Sequence, residues 1–229
     1  MTKTAVVTGA SSGIGRAIAK KLSSEGMNVV LVARREKKLT ELVNEINKSG
    51  TGKALAVKTD VSVRNDVNKM YEKVFNEFGT VDFVINNAGL MLNGRVTEGE
   101  VTDWENMIDV NVKGLLYCTH GALPRMKDKG SGHIVNVASV SGFEVTKRST
   151  VYSATKFAVR AISIGLEKEL ARTGVRVTNI SPGMVDTDLS ARVNVDRKIL
   201  QPEDIANAVY FALTQPNYVN VNEVTVRPV

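Results

Sequence analysis

Apolar residues in this chain fall into short, nearly unbroken runs, separated by longer stretches in which they recur every three or four positions. The runs, rich in Val, Ile and Ala, are Thr4–Thr8, Asn28–Ala33, Ala54–Lys58, Val81–Asn86, His133–Ala138, Val175–Ile180 and Glu223–Val226. Continuous apolar character of this length suits strands covered on both faces, as in a parallel sheet. The stretches Ile14–Glu25, Glu36–Ser49, Arg64–Phe78, Trp104–Lys127, Tyr152–Arg172 and Pro202–Thr214 carry the helical period. Pro202 reads as a first-turn proline. Gly26, Gly50, Gly79 and Gly174 each follow a helix pattern, where a residue tolerating positive φ is wanted.

Strand and helix therefore alternate throughout. That pattern predicts an α/β fold: a doubly wound, Rossmann-type parallel sheet of about seven strands, with right-handed crossovers placing helices on both faces. No Pro/Gly/Ser-rich linker, internal repeat or low-complexity tract interrupts it, so residues 1–229 read as one domain.

Composition narrows the picture modestly. The 229 residues are 43% hydrophobic and 24% charged, an ordinary globular mixture. No apolar run approaches the roughly 20 residues needed to cross a bilayer, so no membrane partner is expected. The first residues lead straight into a strand pattern, without the segments of a signal peptide. Cys118 is the single cysteine, which fits a reducing compartment and makes the cytoplasm the expected location. The net charge of +6 raises the question of nucleic acid. Its basic residues, however, are scattered along helices, as in Arg35-Glu36-Lys37-Lys38, and aromatics make up only 5%. No nucleic-acid partner is expected.

The first strand is followed by Thr8-Gly9-Ala10-Ser11-Ser12-Gly13-Ile14-Gly15 and then a helix. A glycine-rich turn at that place lets the backbone approach a pyrophosphate set against the free N–H groups of the helix. Alone, the turn equally fits a tight strand-to-helix connection. The second strand ends Leu31-Val32-Ala33-Arg34-Arg35, with Ala33 where an NAD site usually has a carboxylate. Arginines there favour a 2′-phosphate, hence NADP(H) over NAD(H). The alternative for Arg35 is simple solvation of the next helix start.

Tyr152-Ser153-Ala154-Thr155-Lys156 opens the helix after the fifth strand. Residues four apart share a helix face, so phenol and ammonium can address the same space, and a nearby cation favours phenolate. A lone pair of this kind also occurs on helix surfaces. Its setting makes it specific: Ser139 follows the fifth strand, Asn86-Asn87-Ala88-Gly89 ends the fourth, Asp60-Val61 follows the third, and Pro182-Gly183 with Thr187 follows the sixth. All fall at the carboxyl edge of the sheet, where ligands of such folds bind. Asn111 lies inside a helix pattern, where asparagine is mildly disfavoured.

Together these residues resemble the short-chain dehydrogenase/reductase family over essentially the full chain. Gln201–Ile205 and Asn220–Pro228 are similar to an NADP-linked reductase and hydroxy-acid dehydrogenase subgroup. The resemblance implies an oxidoreductase passing a hydride between NADP(H) and a small carbonyl or secondary alcohol. It assigns Tyr152 as proton donor or acceptor and Lys156 as binder of the nicotinamide ribose and depressor of the Tyr152 pKa. Ser139 would bond the substrate oxygen, and Asn111 would hold a relay water. The cofactor would lie against Gly9, Ser11, Ser12, Gly13, Ile14, Gly15, Arg34 and Arg35 at one end. Asp60 and Val61 would contact adenine, and Asn87, Ala88 and Gly89 the adenosine ribose. Pro182, Gly183, Val185 and Thr187 would seat the carboxamide. The family's habit implies a homotetramer, with a dimer as the smaller assembly, formed through Trp104–Lys127 and Tyr152–Arg172.

Zinc would need ligands, and Cys118, His120 and His133 fall in core or surface patterns, so no metal is expected. Substrate choice is assigned to Met91–Arg95, Ser141–Ser149 and Met184–Lys198. Phe143, Val145, Met184 and Val185 supply apolar surface there; Arg95, Lys147 and Arg148 either meet a carboxylate or solvate the loops. The charged stretch Asp186–Lys198 reads as a lid. The competing reading is a catalytically silent NADP(H)-binding regulator or redox sensor, against which the set Asn111, Ser139, Tyr152 and Lys156 argues. An epimerase or dehydratase on this scaffold would need a further sugar-nucleotide domain.

Overall fold

The computed structural model describes residues 2–49, 52–187 and 198–229. Seven strands, all parallel, form one sheet: β1 (Thr4–Thr8), β2 (Asn28–Ala33), β3 (Ala54–Lys58), β4 (Phe83–Asn86), β5 (Gly132–Val137), β6 (Val175–Pro182) and β7 (Glu223–Val226). Their order is β3-β2-β1-β4-β5-β6-β7. Helices cover both faces: α1 (Gly13–Ser24), α2 (Glu36–Ser49), α3 (Arg64–Phe78), α4 (Val101–Ile108), α5 (Leu115–Lys129), α6 (Thr150–Glu169) and α7 (Pro202–Leu213).

The strands are apolar on both sides because each side meets its own core. Ala5 and Val7 of β1, and Val29 and Leu31 of β2, face Ile18, Leu22, Leu39, Leu42, Ile205 and Val209. The alternate residues Val6, Val30 and Val32 face Val67, Met70, Val74, Cys118 and Met126. A period of two thus divides each run between two helix layers. Burying each of these aliphatic side chains contributes roughly 1.5–3 kcal/mol, so register is tightly specified.

Some boundaries depart from the sequence pattern. β4 begins at Phe83 rather than Val81, because the Asp82 side chain is committed below it to Thr4 N at 2.9 Å and to Lys3 and Lys129. β6 runs on to Pro182, since β7 pairs with Asn179–Pro182. Helix α6 begins two residues early and stops at Glu169, where the chain turns through Arg172 in the left-handed region at φ 67.

The largest departure concerns the stretch Trp104–Lys127. It is not one α-helix: α4 and α5 are joined by a π-helical segment, Asp109–Gly114. Gly114 presses onto the loop after β3, where an added Cβ would stand 2.9 Å from Val61 Cγ2. The wider turn sets Asn111 inward, and π segments of this kind occur mostly at functional sites.

Candidate active site

Parallel strands deliver all their carboxyl ends to one edge, and there the structure opens a cavity of about 580 Å³. Gly9, Ser11, Ser12, Gly13, Ile14, Arg34 and Arg35 line one end of it, and Ser139, Tyr152 and Lys156 the other. Asp60, Val61, Asn87, Ala88 and Gly89 lie between; Pro182, Gly183, Val185 and Thr187 form the flank beside β6. Lining residues absent from the sequence motifs include Thr59, Leu90, Val110 and Val140. Apolar strand ends and loop residues carry no compositional mark of a ligand, so only the topology reveals them.

At the end formed by the glycine turn the backbone makes the shape. Gly9 and Gly13 have φ of 68° and 51°, and α1 begins without an acidic residue in its first turn. Its positive dipole end is therefore left for an anion. Gly15 does not line the cavity. It lies beneath, where an added Cβ would stand 2.4 Å from Gly9 O and 2.5 Å from Asn87 Nδ2. Gly15 therefore has a packing role, since only hydrogen fits between helix and turn. Asn87 braces the same turn: its Nδ2 donates to Thr8 O at 2.9 Å, while Asn87 N and Ala88 N donate to Thr8 Oγ1 at 3.0 and 2.9 Å.

Arg35, for which simple helix solvation stood as an alternative, reaches back over the turn. Its Nε and Nη2 donate to Ser11 Oγ at 3.0 and 2.8 Å, and Nη2 donates to Ser12 Oγ at 2.5 Å. Two hydroxyls thus hold an exposed guanidinium at the rim of the cavity, with Arg34 exposed beside it. Asp60 caps its own turn, accepting from Ser62 N at 3.0 Å and Ser62 Oγ at 2.6 Å.

At the Tyr152 end side chains make the cavity wall. Lys156 is buried and its Nζ donates to Val137 O at 3.0 Å. Loss of hydration brings its pKa down to about 8. Half-buried Tyr152 sits with its ring centroid 5.8 Å from that ammonium. Burial pushes the phenol above its ordinary value, offset in part by its hydrogen bond with Ser139. The Lys156 ammonium is turned to a carbonyl here, and burial sets the direction of the phenol's shift. Ser139 is fixed by accepting from Ser141 N at 3.1 Å, at the start of a short 3₁₀ turn, Val140–Gly142.

Asn111 is buried behind Leu90 rather than in the cavity wall. Its Nδ2 donates to Leu90 O at 2.9 Å and to Thr155 Oγ1 at 3.0 Å, and its Oδ1 accepts from Leu90 N at 2.7 Å. Both amide hydrogens are thus engaged within the protein.

The loops assigned to substrate divide. Met91, Ser141, Met184 and Val185 line the main cavity. Phe143 instead lies under the Arg160 guanidinium, 4.1 Å from the ring centroid, and Val145 is exposed. Arg95 and Arg148 line a separate cavity of about 500 Å³ with Trp104 and Met107, and Arg95 pairs with Glu98 at 3.2 Å. Of the suggested lid, 188–197 lie outside the described residues. Cys118 is buried, which pushes its thiol up to about 12, and among the described residues no three His, Cys, Asp or Glu side chains are grouped to hold a metal. No helix among them is long and apolar enough to cross a membrane.

A cleft along the carboxyl edge of a sheet with this topology defines a class, and comparison with known proteins identifies it. The short chain dehydrogenase family profile matches residues 3–198, and the chain belongs to that family of oxidoreductases. It is 55% identical over 228 residues to an uncharacterised oxidoreductase of Staphylococcus aureus strain USA300, covering 99% of this chain and 97% of that protein. Among solved structures it is similar to an alcohol dehydrogenase from the archaeon Thermococcus sibiricus complexed with 5-hydroxy-NADP. That likeness has 32% identity and a TM-score of 0.93, over 100% of this chain and 97% of the other. It also resembles a closed form of serine dehydrogenase complexed with NADP+, at 33% identity and a TM-score of 0.90, over 98% and 94% of the two chains.

Proposed function

We propose that this protein transfers a hydride between NADP(H) and a small carbonyl or secondary alcohol, with Tyr152 exchanging the proton. The observation that carries the reading is the shared cavity, which joins the Arg35–Ser11–Ser12 cluster to Ser139, Tyr152 and Lys156. The residues fit the cofactor: left-handed glycines leave room for the pyrophosphate, and a guanidinium pinned by two serines suits a 2′-phosphate. Relatives of this fold bound to NADP+ or to an NADP analogue support the same choice.

The bound nicotinamide supplies the hydride. Ser139 and Tyr152 offer hydroxyls to the substrate oxygen, on which negative charge develops during reduction. Burial keeps the Tyr152 phenol protonated and so ready to donate. Lys156, at the sheet side of the pair, binds the ribose hydroxyls and steadies the phenolate left behind. Asp60, Val61, Asn87, Ala88 and Gly89 wall the adenosine half; Pro182, Gly183, Val185 and Thr187 seat the carboxamide. The substrate wall of Leu90, Met91, Met184 and Val185 is apolar, which suits a small carbonyl compound; serine dehydrogenase among the relatives points to hydroxy acids within that class.

Association with further copies belongs to the same reading. Ile108 and Leu116, flanking the π segment, and Phe157 and Ile164 on α6 are large apolar side chains left exposed on neighbouring helices.

Tyr152→Phe tests the mechanism. Turnover should fall by about 10²- to 10⁴-fold, the usual contribution of a positioned acid, while NADPH binding measured by fluorescence stays within twofold. Turnover equal to the unmodified protein would remove Tyr152 from the chemistry.

A further inference from the structure

Thr155 lies between the members of the reacting pair and is 2% exposed. Its hydroxyl donates to Tyr152 O at 2.7 Å and accepts from Asn111 Nδ2 at 3.0 Å. The first bond is the common habit of a helical threonine bonding back along its own helix, and such bonds add little to stability. The second leaves the helix, and it changes the meaning of the first. A hydroxyl has one proton to give. With that proton committed to Tyr152 O, its lone pairs are turned toward Asn111.

The bond also completes Asn111. One amide hydrogen goes to Leu90 O and the other to Thr155, while Oδ1 takes Leu90 N–H. Every group of the amide has a partner, and its orientation is fixed by donor and acceptor together. The chain Leu90–Asn111–Thr155–Tyr152 thus fastens three separate elements: the loop after β4, the π segment, and the first turns of α6. Gly89 brings that loop to the reacting pair, since a Cβ built on it would stand 3.5 Å from Asn111 Oδ1 and 3.7 Å from Lys156 Nζ.

We propose that Thr155 is a positioning residue, whose hydroxyl holds the π segment and the start of α6 in the register that proton exchange at Tyr152 requires. This rests on the reading of Tyr152 and Lys156 as the reacting pair. Thr155 does not line the cavity and is buried beside Asn111. Its effect passes through Asn111 to the Leu90 wall on one side and through the Tyr152 carbonyl on the other. Displacements of about 1 Å in such settings cost on the order of 10²-fold in rate.

Thr155→Val keeps the shape, removes the hydroxyl and strands one buried Asn111 N–H; Thr155→Ser keeps the hydroxyl and removes the methyl. With NADPH and a turned-over carbonyl, the valine protein should lose roughly 10- to 100-fold in kcat. Its NADPH dissociation constant should stay within twofold, and the serine protein should regain most of the loss. Unchanged kcat in the valine protein would overturn the proposal. So would equal impairment of the serine protein, which would assign the effect to packing of the methyl. If the valine protein does not fold, Thr155→Ala against Thr155→Ser makes the same comparison. Tyr152→Phe in parallel separates the two claims: an inactive phenylalanine protein beside a fully active valine protein defeats only the role of Thr155, whereas an active phenylalanine protein defeats the underlying pair.

Discussion

At the phosphate end of the cleft the fold works with backbone shape and with charge kept in water; at the reacting end it works with side chains taken out of water. Gly9, Gly13 and Gly15 contribute no side chains, and Arg34 and Arg35 are exposed. Lys156 and Asn111, by contrast, are buried, and each polar atom there has a named partner. Exposed charges are screened by salt. Buried ones are shifted by desolvation, as in Lys156, held down to about 8. The first arrangement suits holding and choosing a cofactor, the second moving a proton near neutral pH.

That contrast can be broken at either end. Arg35→Ala should weaken NADPH binding by about 10- to 100-fold, the range for hydrogen bonds to a charged group. NADH affinity and the rate at saturating NADPH should hardly change. Isothermal titration with both cofactors measures it, and equal losses for the two would remove the 2′-phosphate from the assignment. At the other end the effect should appear as pH dependence. Lys156 carries its proton below about 8 and loses it above. With Tyr152 held protonated to higher pH, kcat/KM for reduction should fall about tenfold per pH unit past that point. A flat profile from pH 7 to 10 would show that the charge of Lys156 does not matter. Arg34→Ala, on the same exposed rim, should cost no more than about fivefold in NADPH affinity, as exposed charges do.

The smallest effect on turnover is expected at His133, at the opposite edge of the sheet. Its ring is fully buried, with Nε2 2.7 Å from Thr178 Oγ1 and Nδ1 without a hydrogen-bond partner among the described residues. Burial, aided by the charge of Arg176, holds its pKa at about 3 against 6.5 for a free ring. Below pH 6.5 the unfolded chain takes up a proton that the folded chain refuses until about pH 3. Stability should therefore be fully present above 6.5 and fall with acidification at up to about 1.4 kcal/mol per pH unit. His133→Gln should flatten denaturation midpoints across pH 4–6 without altering kcat at neutral pH; an unchanged slope would assign the loss to other groups. Asp82, whose pKa is lowered by Lys129, Thr4 N and Lys3 against the opposing effect of burial, adds to the loss only below about 3.8.

The same division explains which features are legible in the sequence. The seven strands stand out because continuous apolar runs have one physical explanation, burial on two faces, and Ala5, Val6 and Val7 show the alternation directly. The glycine turn and the Tyr152–Lys156 spacing are local features, so the sequence displays them. Relations between distant segments were not legible. Gly15 has the look of a phosphate glycine but is fixed by Gly9 and Asn87. Arg35 gains its place only once β1 and β2 lie side by side and Ser11 faces it. The π segment follows from Asn111 meeting Leu90 and Thr155, and periodicity alone runs a helix straight through it. Phe143 was read as pocket surface because nothing local reveals the Arg160 guanidinium over its ring.

The most direct test is an absorbance assay of NADPH oxidation across a panel of small aldehydes, ketones and oxo acids, with NADH in parallel. The expected result is consumption of NADPH with at least one carbonyl, much slower consumption of NADH, and no reaction without substrate. Tight NADPH binding with no turnover on any member of the panel would contradict the enzymatic reading and favour a silent NADP(H)-binding regulator.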